Sequence, residues 1–233
     1  MADLSNHLIS RRWPAQHPER IQLYSFPTPN GVKISIALEE MGLPYEAHTV
    51  TLADADVKSP EFLSVNPNNK IPAIIDPDGP DGTPLALFES GAILIYLAEK
   101  TSKFLGSTAA ERAKIVQWLM WQMGGLGPMF GQMGHFHSGP GKEVKDPYPA
   151  KRYLDEARRL MAVFEKHMSD GRDWVAGDYS IADMAIGPWL RAPDFYGTQD
   201  LLAWDDHPNL KAYLERFTAR PAVQVGLVTP ARD

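Results

Sequence analysis

The stretch from Asn66 to Tyr96 constrains the fold of this chain most, because it combines two short apolar runs with segments that favour turns. The runs Ala73–Ile75 and Leu85–Phe88 have the length of strands. Between them, residues 76–82 read Asp-Pro-Asp-Gly-Pro-Asp-Gly, and proline and glycine at this density predict a turn. The stretch therefore predicts a β-hairpin that leads directly into a helix.

Two features of this stretch indicate a ligand. Ile71-Pro72 enters the first strand, and an X-Pro bond is the one peptide bond at which a cis geometry costs little. With Pro72 in cis, we expect the backbone of Ile71 to face outward and to pair with an extended, peptide-like molecule. A helix is predicted from Glu89-Ser90 to Lys100, with Ser90 as N-cap. Its start suits a carboxylate, and Glu89 suits an ammonium group.

The first hundred residues predict the element order β-α-β followed by β-β-α. Apolar patterning predicts a strand over residues 21–26 and a helix over residues 32–41, which ends at Gly42 as C-cap. A second strand over residues 45–50 and a helical turn over residues 60–65 follow ahead of the hairpin. This is the order of a thioredoxin-like domain.

Residues from Glu111 onward predict helices only. Gly-Gly-Leu-Gly-Pro interrupts the first of these helices and is expected to kink or break it. Ser180 and Asp183 match a capping box, a structural role. The predicted organisation is an N-terminal arm, a thioredoxin-like domain, a linker and an all-α domain, over residues 1–20, 21–100, 101–110 and 111–233.

Composition excludes several classes of function. The chain of 233 residues has 23 basic and 29 acidic side chains, which argues against a nucleic-acid surface. No apolar run approaches the roughly 20 residues of a membrane helix. With no cysteine, the chain has neither disulfides nor a thiol nucleophile, in keeping with a reducing cytoplasm. His135-Phe136-His137 lacks a third ligand and falls in a segment that reads as irregular, so no metal site is predicted.

Several motifs resemble those of one family. NPNNKIPA and FESGAILIYLAEK are similar to the glutathione-binding half of cytosolic glutathione transferases, and FPTPNG and WQMGGLGPMFGQ resemble the nu class with its disulfide-reducing relatives. The resemblance covers roughly residues 21–225. It implies an α+β thioredoxin-like N-terminal domain followed by an all-α C-terminal domain, a homodimer, and a co-substrate that is glutathione, with two molecules or oxidised glutathione per site.

The resemblance also implies roles for individual residues. Thr28 and Asn30 fall where relatives place the groups that stabilise the glutathione thiolate. Ile71 is expected to pair with the cysteinyl part, and Glu89 with Ser90 to hold the γ-glutamyl end. The resemblance implies that Lys70 binds the glycyl carboxylate of glutathione. It also implies that Arg152 reaches glutathione from the helical domain.

Alternatives stand beside these roles. Thr-Pro-Asn-Gly is also ordinary turn chemistry. Tyr24 is a rival to Thr28, although its place inside a strand favours a core role, and Ser25 is a weaker rival. The favoured reaction is glutathione-dependent reduction of a disulfide or an organic hydroperoxide. The alternatives are conjugation of glutathione to a carbon electrophile and a non-catalytic, glutathione-binding regulator.

Overall fold

A four-stranded sheet organises the first half of the computed structural model, which describes residues 7–232. Its strands are β1 (Ile21–Ser25), β2 (Tyr45–Thr49), β3 (Ala73–Asp76) and β4 (Leu85–Phe88), in the order β2-β1-β3-β4. β1 and β2 are parallel, whereas β3 is antiparallel to both of its neighbours. All four predicted strands are confirmed to within a residue or two at their ends.

Helices complete this thioredoxin-like unit. They are α1 (Gly31–Met41), α2 (Asp54–Val57), α3 (Pro60–Leu63) and α4 (Ser90–Thr101), preceded by a short 3-10 turn, Leu8–Arg11. Gly42 ends α1 with a left-handed φ of 69°, as its C-cap position requires. Ile34, Leu38 and Met41 of α1, spaced four and three residues apart as on one face of a helix, are all buried. The predicted fold class is confirmed for this half of the chain.

Residues 7–20 belong to this unit rather than forming a separate arm. Ile9 is completely buried, and the ring of Trp13 packs edge-on against Tyr24 and Phe62 at 6.4 and 6.3 Å between centroids. The Trp13 indole N–H also donates to the Thr49 carbonyl at 2.9 Å. These apolar side chains tie the segment to the sheet. The other part of the predicted arm, residues 1–6, lies outside the described residues.

The second unit, Lys103–Arg220, is built from helices. They are α5 (Ala109–Trp121), a π-helix (Gln122–Leu126), α6 (Gly127–His137), α7 (Pro147–Met168), α8 (Ile181–Leu190), α9 (Ala192–Tyr196) and α10 (Pro208–Ala219), with short 3-10 turns over 140–143, 200–202 and 204–206. The predicted all-α character is confirmed. Within residues 7–232, no helix is long and apolar enough to cross a membrane.

The Gly- and Pro-rich stretch, expected to kink or break the helix, does not break it, because the chain stays helical there; the interruption takes the form of a π-helix. The backbone shifts to π-type hydrogen bonding, so that the Gly127 N–H donates to the Gln122 carbonyl, and Pro128 then falls in the first turn of α6. His135 and His137 accordingly lie in the last turn of α6 and not in an irregular segment.

A last helix, α11 (Pro221–Gly226), belongs to the first unit. The Ser35 hydroxyl of α1 donates to the Gly226 carbonyl at 2.6 Å. A Cβ at Gly226 would lie 2.6 Å from the Ile36 backbone, so only glycine permits this approach. The segment from Pro221 onward therefore packs with the thioredoxin-like unit, whereas the sequence predicts it to be part of the all-α domain.

Candidate active site

The register of the sheet brings three segments to one edge. Ala73, the first residue of β3, pairs with Tyr24 near the end of β1 and with Phe88 at the end of β4. The turn after β1, the Ile71-Pro72 corner before β3 and the start of α4 after β4 therefore leave the sheet on the same side. The candidate residues of the first unit gather at this edge, as the sequence predicts for the first turn, the proline corner and the helix start.

The turn after β1 is fixed by its own hydrogen bonds. The Thr28 N–H donates to the Phe26 carbonyl at 2.7 Å, and the Thr28 hydroxyl accepts from the Gly31 N–H at 3.3 Å. Asn30 directly precedes α1, and its side chain makes no capping hydrogen bond to that helix. Thr28 and Asn30 are both half-buried, so the turn holds a hydroxyl and an amide at the start of a helix.

Gly31 permits α1 to begin this close to the sheet. A Cβ at this position would lie 1.9 Å from the Phe26 carbonyl oxygen and 2.6 Å from the Ser25 hydroxyl. The first contact is with backbone, which cannot rotate away as a side chain can. The positions of Thr28 and Asn30 therefore depend on glycine at position 31.

The proline corner presents backbone groups at the same edge. The Ile71-Pro72 bond is cis. Within residues 7–232, the N–H and C=O of Ile71 form no hydrogen bond, although the Ile71 side chain is buried. Lys70 is exposed, and its carbonyl accepts a hydrogen bond from the Asn66 side-chain amide, which holds the preceding turn.

The start of α4 differs from the sequence prediction. Ser90 is the first helical residue, and Glu89 occupies the N-cap position without a side-chain cap bond. The prediction of Ser90 as N-cap is wrong because Glu89 adopts φ 72° and ψ 110°, which turns the chain one residue earlier. A positive φ in a residue other than glycine costs on the order of 1–3 kcal/mol, and such strain concentrates at functional sites. Glu89 is exposed, whereas Ser90 is buried.

Sequence reasoning missed Lys33, a buried lysine behind this helix start. Its side chain is fully buried, and its Nζ donates to the Ser90 hydroxyl oxygen at 3.2 Å. Burial lowers the pKa of Lys33 to about 7, against the opposing charge of Glu89. The available signal was its place as the single charged residue among the first eight residues of α1, GVKISIAL.

Both rivals to Thr28 lie in the core. Tyr24 is 1% exposed and its ring stacks on His48, with 4.8 Å between centroids. Burial, helped by the charge of Glu46, raises the pKa of the Tyr24 hydroxyl. Ser25 is fully buried beside the Phe26 carbonyl. A neutral hydroxyl inside the core fits the core interpretation of Tyr24.

The remaining predicted residues belong to the second unit. Arg152 is exposed on α7. The pKa of Glu156 is lowered mainly by its hydrogen bond from Arg159, and the charge of Arg152 lowers it further. Ser180 and Asp183 form a capping box at the start of α8, with the Ser180 N–H donating to Asp183 at 2.9 Å. Among residues 7–232, no group of three or more His, Cys, Asp and Glu side chains is arranged to hold a metal.

Two family models match the chain. That of the glutathione S-transferase N-terminal domain matches residues 19–99, and that of the C-terminal domain matches residues 142–216. Disulfide-bond oxidoreductase YfcG of Escherichia coli is 46% identical over 210 residues, covering 89% of this chain and 94% of that protein.

Solved structures agree. A glutathione transferase from Pseudomonas putida, with one glutathione disulfide bound per subunit, superposes with a TM-score of 0.96 at 55% identity, covering 99% of this chain and 100% of that chain. One from Burkholderia graminis, with two glutathione molecules bound per subunit, has a TM-score of 0.96 at 57% identity, covering 100% and 98%.

Proposed function

The chain belongs to the glutathione S-transferase family, and on that premise we propose that it is a glutathione-dependent disulfide-bond reductase. The observation that carries this proposal is the shared sheet edge, where Thr28 and Asn30, the Ile71 backbone and the Glu89-Ser90 helix start lie next to one another in space. Because the chain has no cysteine, the reacting sulfur must come from the ligand.

The groups at this edge complement a γ-glutamyl tripeptide along its length. Glu89 binds the α-ammonium group, and Ser90 with the first N–H groups of α4 binds the α-carboxylate. The unpaired N–H and C=O of Ile71 pair with the cysteinyl residue, as one strand pairs with another. Lys70, exposed beside this corner, binds the glycyl carboxylate. For Arg152, exposed on α7, a role in binding glutathione is proposed on the family resemblance alone.

Thr28 and Asn30 then act on the sulfur. A free thiol has a pKa of about 8.5, so donors directed at the sulfur are needed for the thiolate to prevail at neutral pH. The Thr28 hydroxyl, the Asn30 amide and the start of α1 supply such donors.

The reaction proceeds in two exchanges. The bound thiolate attacks one sulfur of a small disulfide, forms a mixed disulfide with glutathione, and expels the other sulfur as a thiolate that takes a proton from water. A second glutathione thiolate attacks the glutathione sulfur of the mixed disulfide, which releases oxidised glutathione and the second thiol. These two steps require a site that holds two glutathione moieties. The Pseudomonas protein binds one glutathione disulfide per subunit, and the Burkholderia protein binds two glutathione molecules per subunit.

The same thiolate reduces an organic hydroperoxide. Attack on the terminal oxygen gives the sulfenic acid of glutathione and an alcohol, and a second glutathione converts the sulfenic acid to oxidised glutathione and water. Both reactions consume reduced glutathione, which supports a cytoplasmic location. We further propose a homodimer, on the family resemblance.

Parallel turnover assays test the proposal against its alternatives. With purified protein and glutathione, we expect faster turnover of 2-hydroxyethyl disulfide than of an aryl halide. A much faster aryl halide rate would favour conjugation of carbon electrophiles. Binding of glutathione without turnover of either substrate, and with an unshifted thiol pKa, would favour a non-catalytic regulator.

A further inference from the structure

The segment that follows α11 runs past the edge of the sheet at which the candidate site lies. Pro230 is buried, and the Ala231 carbonyl accepts a hydrogen bond from the Thr49 hydroxyl at 3.5 Å. Thr49 ends β2 and pairs in register with Ser25, the last residue of β1. The segment therefore lies beside the point at which β1 leads into the turn of Thr28.

Arg232 extends from this segment onto the turn after β1. Its guanidinium donates to the Pro27 carbonyl at 2.9 Å, and its central carbon lies 5.8 Å from the centroid of the Phe26 ring. A cation within about 6 Å of the centroid is attracted to the face of an aromatic ring. The hydrogen bond joins residues that are 205 positions apart in the chain, and it does so directly ahead of Thr28.

This hydrogen bond fixes one end of the peptide bond that leads into Thr28. The carbonyl of that peptide bond belongs to Pro27 and accepts from Arg232, and its N–H belongs to Thr28 and donates to the Phe26 carbonyl at 2.7 Å. A peptide bond is planar, so contacts at both ends fix its orientation. On the far side of Thr28, its own carbonyl accepts from the Val32 N–H at 3.0 Å. With both flanking peptide planes fixed, the direction of the Thr28 side chain is fixed as well.

We propose that Arg232 is a positioning residue of the glutathione site, which orients Thr28 so that its hydroxyl is directed at the glutathione sulfur. Arg232 acts through the Pro27 carbonyl and needs no contact with the sulfur in this role. Without its hydrogen bond, the peptide between Pro27 and Thr28 rotates more freely, and the hydroxyl spends less time on the sulfur. This inference rests on the proposed function, since it assigns Arg232 to the same site.

An arginine suits this role, and its exposure sets the size of the effect. The guanidinium is a planar cation with five N–H donors, so it donates to a carbonyl while it lies over a ring. Arg232 is exposed, however, and water replaces part of the lost contact when the side chain is removed. The expected effect is therefore that of one ordinary hydrogen bond, about three- to tenfold.

Titration and kinetics of Arg232→Met test the inference. Thiolate absorbance against pH should show that the pKa of the bound glutathione thiol rises by about 0.5–1 unit. The kcat for 2-hydroxyethyl disulfide should fall about three- to tenfold, whereas the KM for glutathione should stay within about twofold, because the groups that bind the tripeptide are unchanged. Arg232→Lys retains a cationic donor and should lie closer to the wild type in both measurements.

Thr28→Ala distinguishes positioning from a direct effect of the arginine on the sulfur. If Arg232 acts through the Thr28 hydroxyl, Arg232→Met in the Thr28→Ala protein should change the thiol pKa by less than about 0.3 unit, so that the two shifts are not additive. Shifts that add in full would show that Arg232 acts independently of Thr28, and they would overturn the inference.

Arg11→Met is the matched control, because Arg11 is an exposed arginine of the same unit, at the end of the 3-10 turn Leu8–Arg11. It should leave the thiol pKa and kcat unchanged. If Arg232→Met behaves like this control, Arg232 does not position the turn and the inference is wrong.

Amide hydrogen exchange tests the contact itself, in protein without glutathione. Once the Pro27 carbonyl loses its partner in Arg232→Met, the Thr28 N–H should exchange about threefold faster or more, because its peptide plane is held at one end only. An unchanged exchange rate overturns the inference. A wild type that neither binds glutathione nor reduces the disulfide refutes the proposed function instead.

Discussion

Gly31→Ala tests whether the close approach of α1 to the sheet positions the candidate catalytic turn. The new Cβ would lie 1.9 Å from the Phe26 carbonyl oxygen, whereas carbon and oxygen atoms approach each other to about 3.3 Å. The start of α1 must therefore move by more than an ångström. Overpacking of this kind costs about 1–3 kcal/mol, and we expect the upper end because the contact is with backbone.

The displacement should also reduce activity, since Thr28 and Asn30 flank the site of the clash. A misplacement of about 1 Å lowers turnover by roughly 100-fold. Urea unfolding measures the stability, and the 2-hydroxyethyl disulfide assay measures the activity. Gly124→Ala is the matched control, because no atom lies within 4 Å of its added Cβ, and it should change stability by no more than about 1 kcal/mol. If Gly31→Ala matches the wild type in both assays, the positioning argument is wrong.

Two further predictions concern single side chains. Asn30→Ala should raise the pKa of the bound glutathione thiol by about 1–2 units through the loss of a donor, and should lower activity more than Tyr24→Phe, whose hydroxyl lies in the core. Thiolate absorbance against pH checks the first part, and an equal or reversed ranking of activities contradicts the second. Burial raises the pKa of Asp183 to about 6, so its stabilising effect is fully present below its unfolded pKa and is lost as the pH rises through 6. Relative to Asp183→Asn, the wild type should therefore lose stability between pH 4 and pH 7 in urea unfolding, and a constant difference would refute this.

Elements with a strong local signal were predictable. The strands around the hairpin, the helix ending at Gly42 and the capping box at Ser180 each depend on residues close in sequence. α2 was not predicted, because its four residues are too short to show a helical period and Ala53 before it has no capping side chain, whereas Ser59 and Pro60 mark the start of the equally short α3. In the Gly- and Pro-rich stretch an interruption was predicted but its form was not, since packing decides there: a Cβ at Gly127 would lie 2.5 Å from the Gln122 side-chain amide nitrogen and 3.2 Å from the Trp189 ring.

The site shows the same limit. Ile71-Pro72 and Glu89-Ser90 could be recognised from the sequence, because each forms a local motif. The order of the strands then brings the two motifs together. Lys33 was missed because a lysine ordinarily indicates a solvent-exposed surface. Its buried ammonium group donates to Ser90, which lies 57 positions away in the chain. The conformation of Glu89 was missed as well, since no local rule favours a positive φ at glutamate.

The central claim is that a chain without a thiol of its own borrows the sulfur of glutathione. Isothermal titration calorimetry of the purified protein with reduced and with oxidised glutathione tests this claim most directly. We predict saturable binding of both forms, weakened by Ser90→Ala. If neither form binds, the proposed function is wrong.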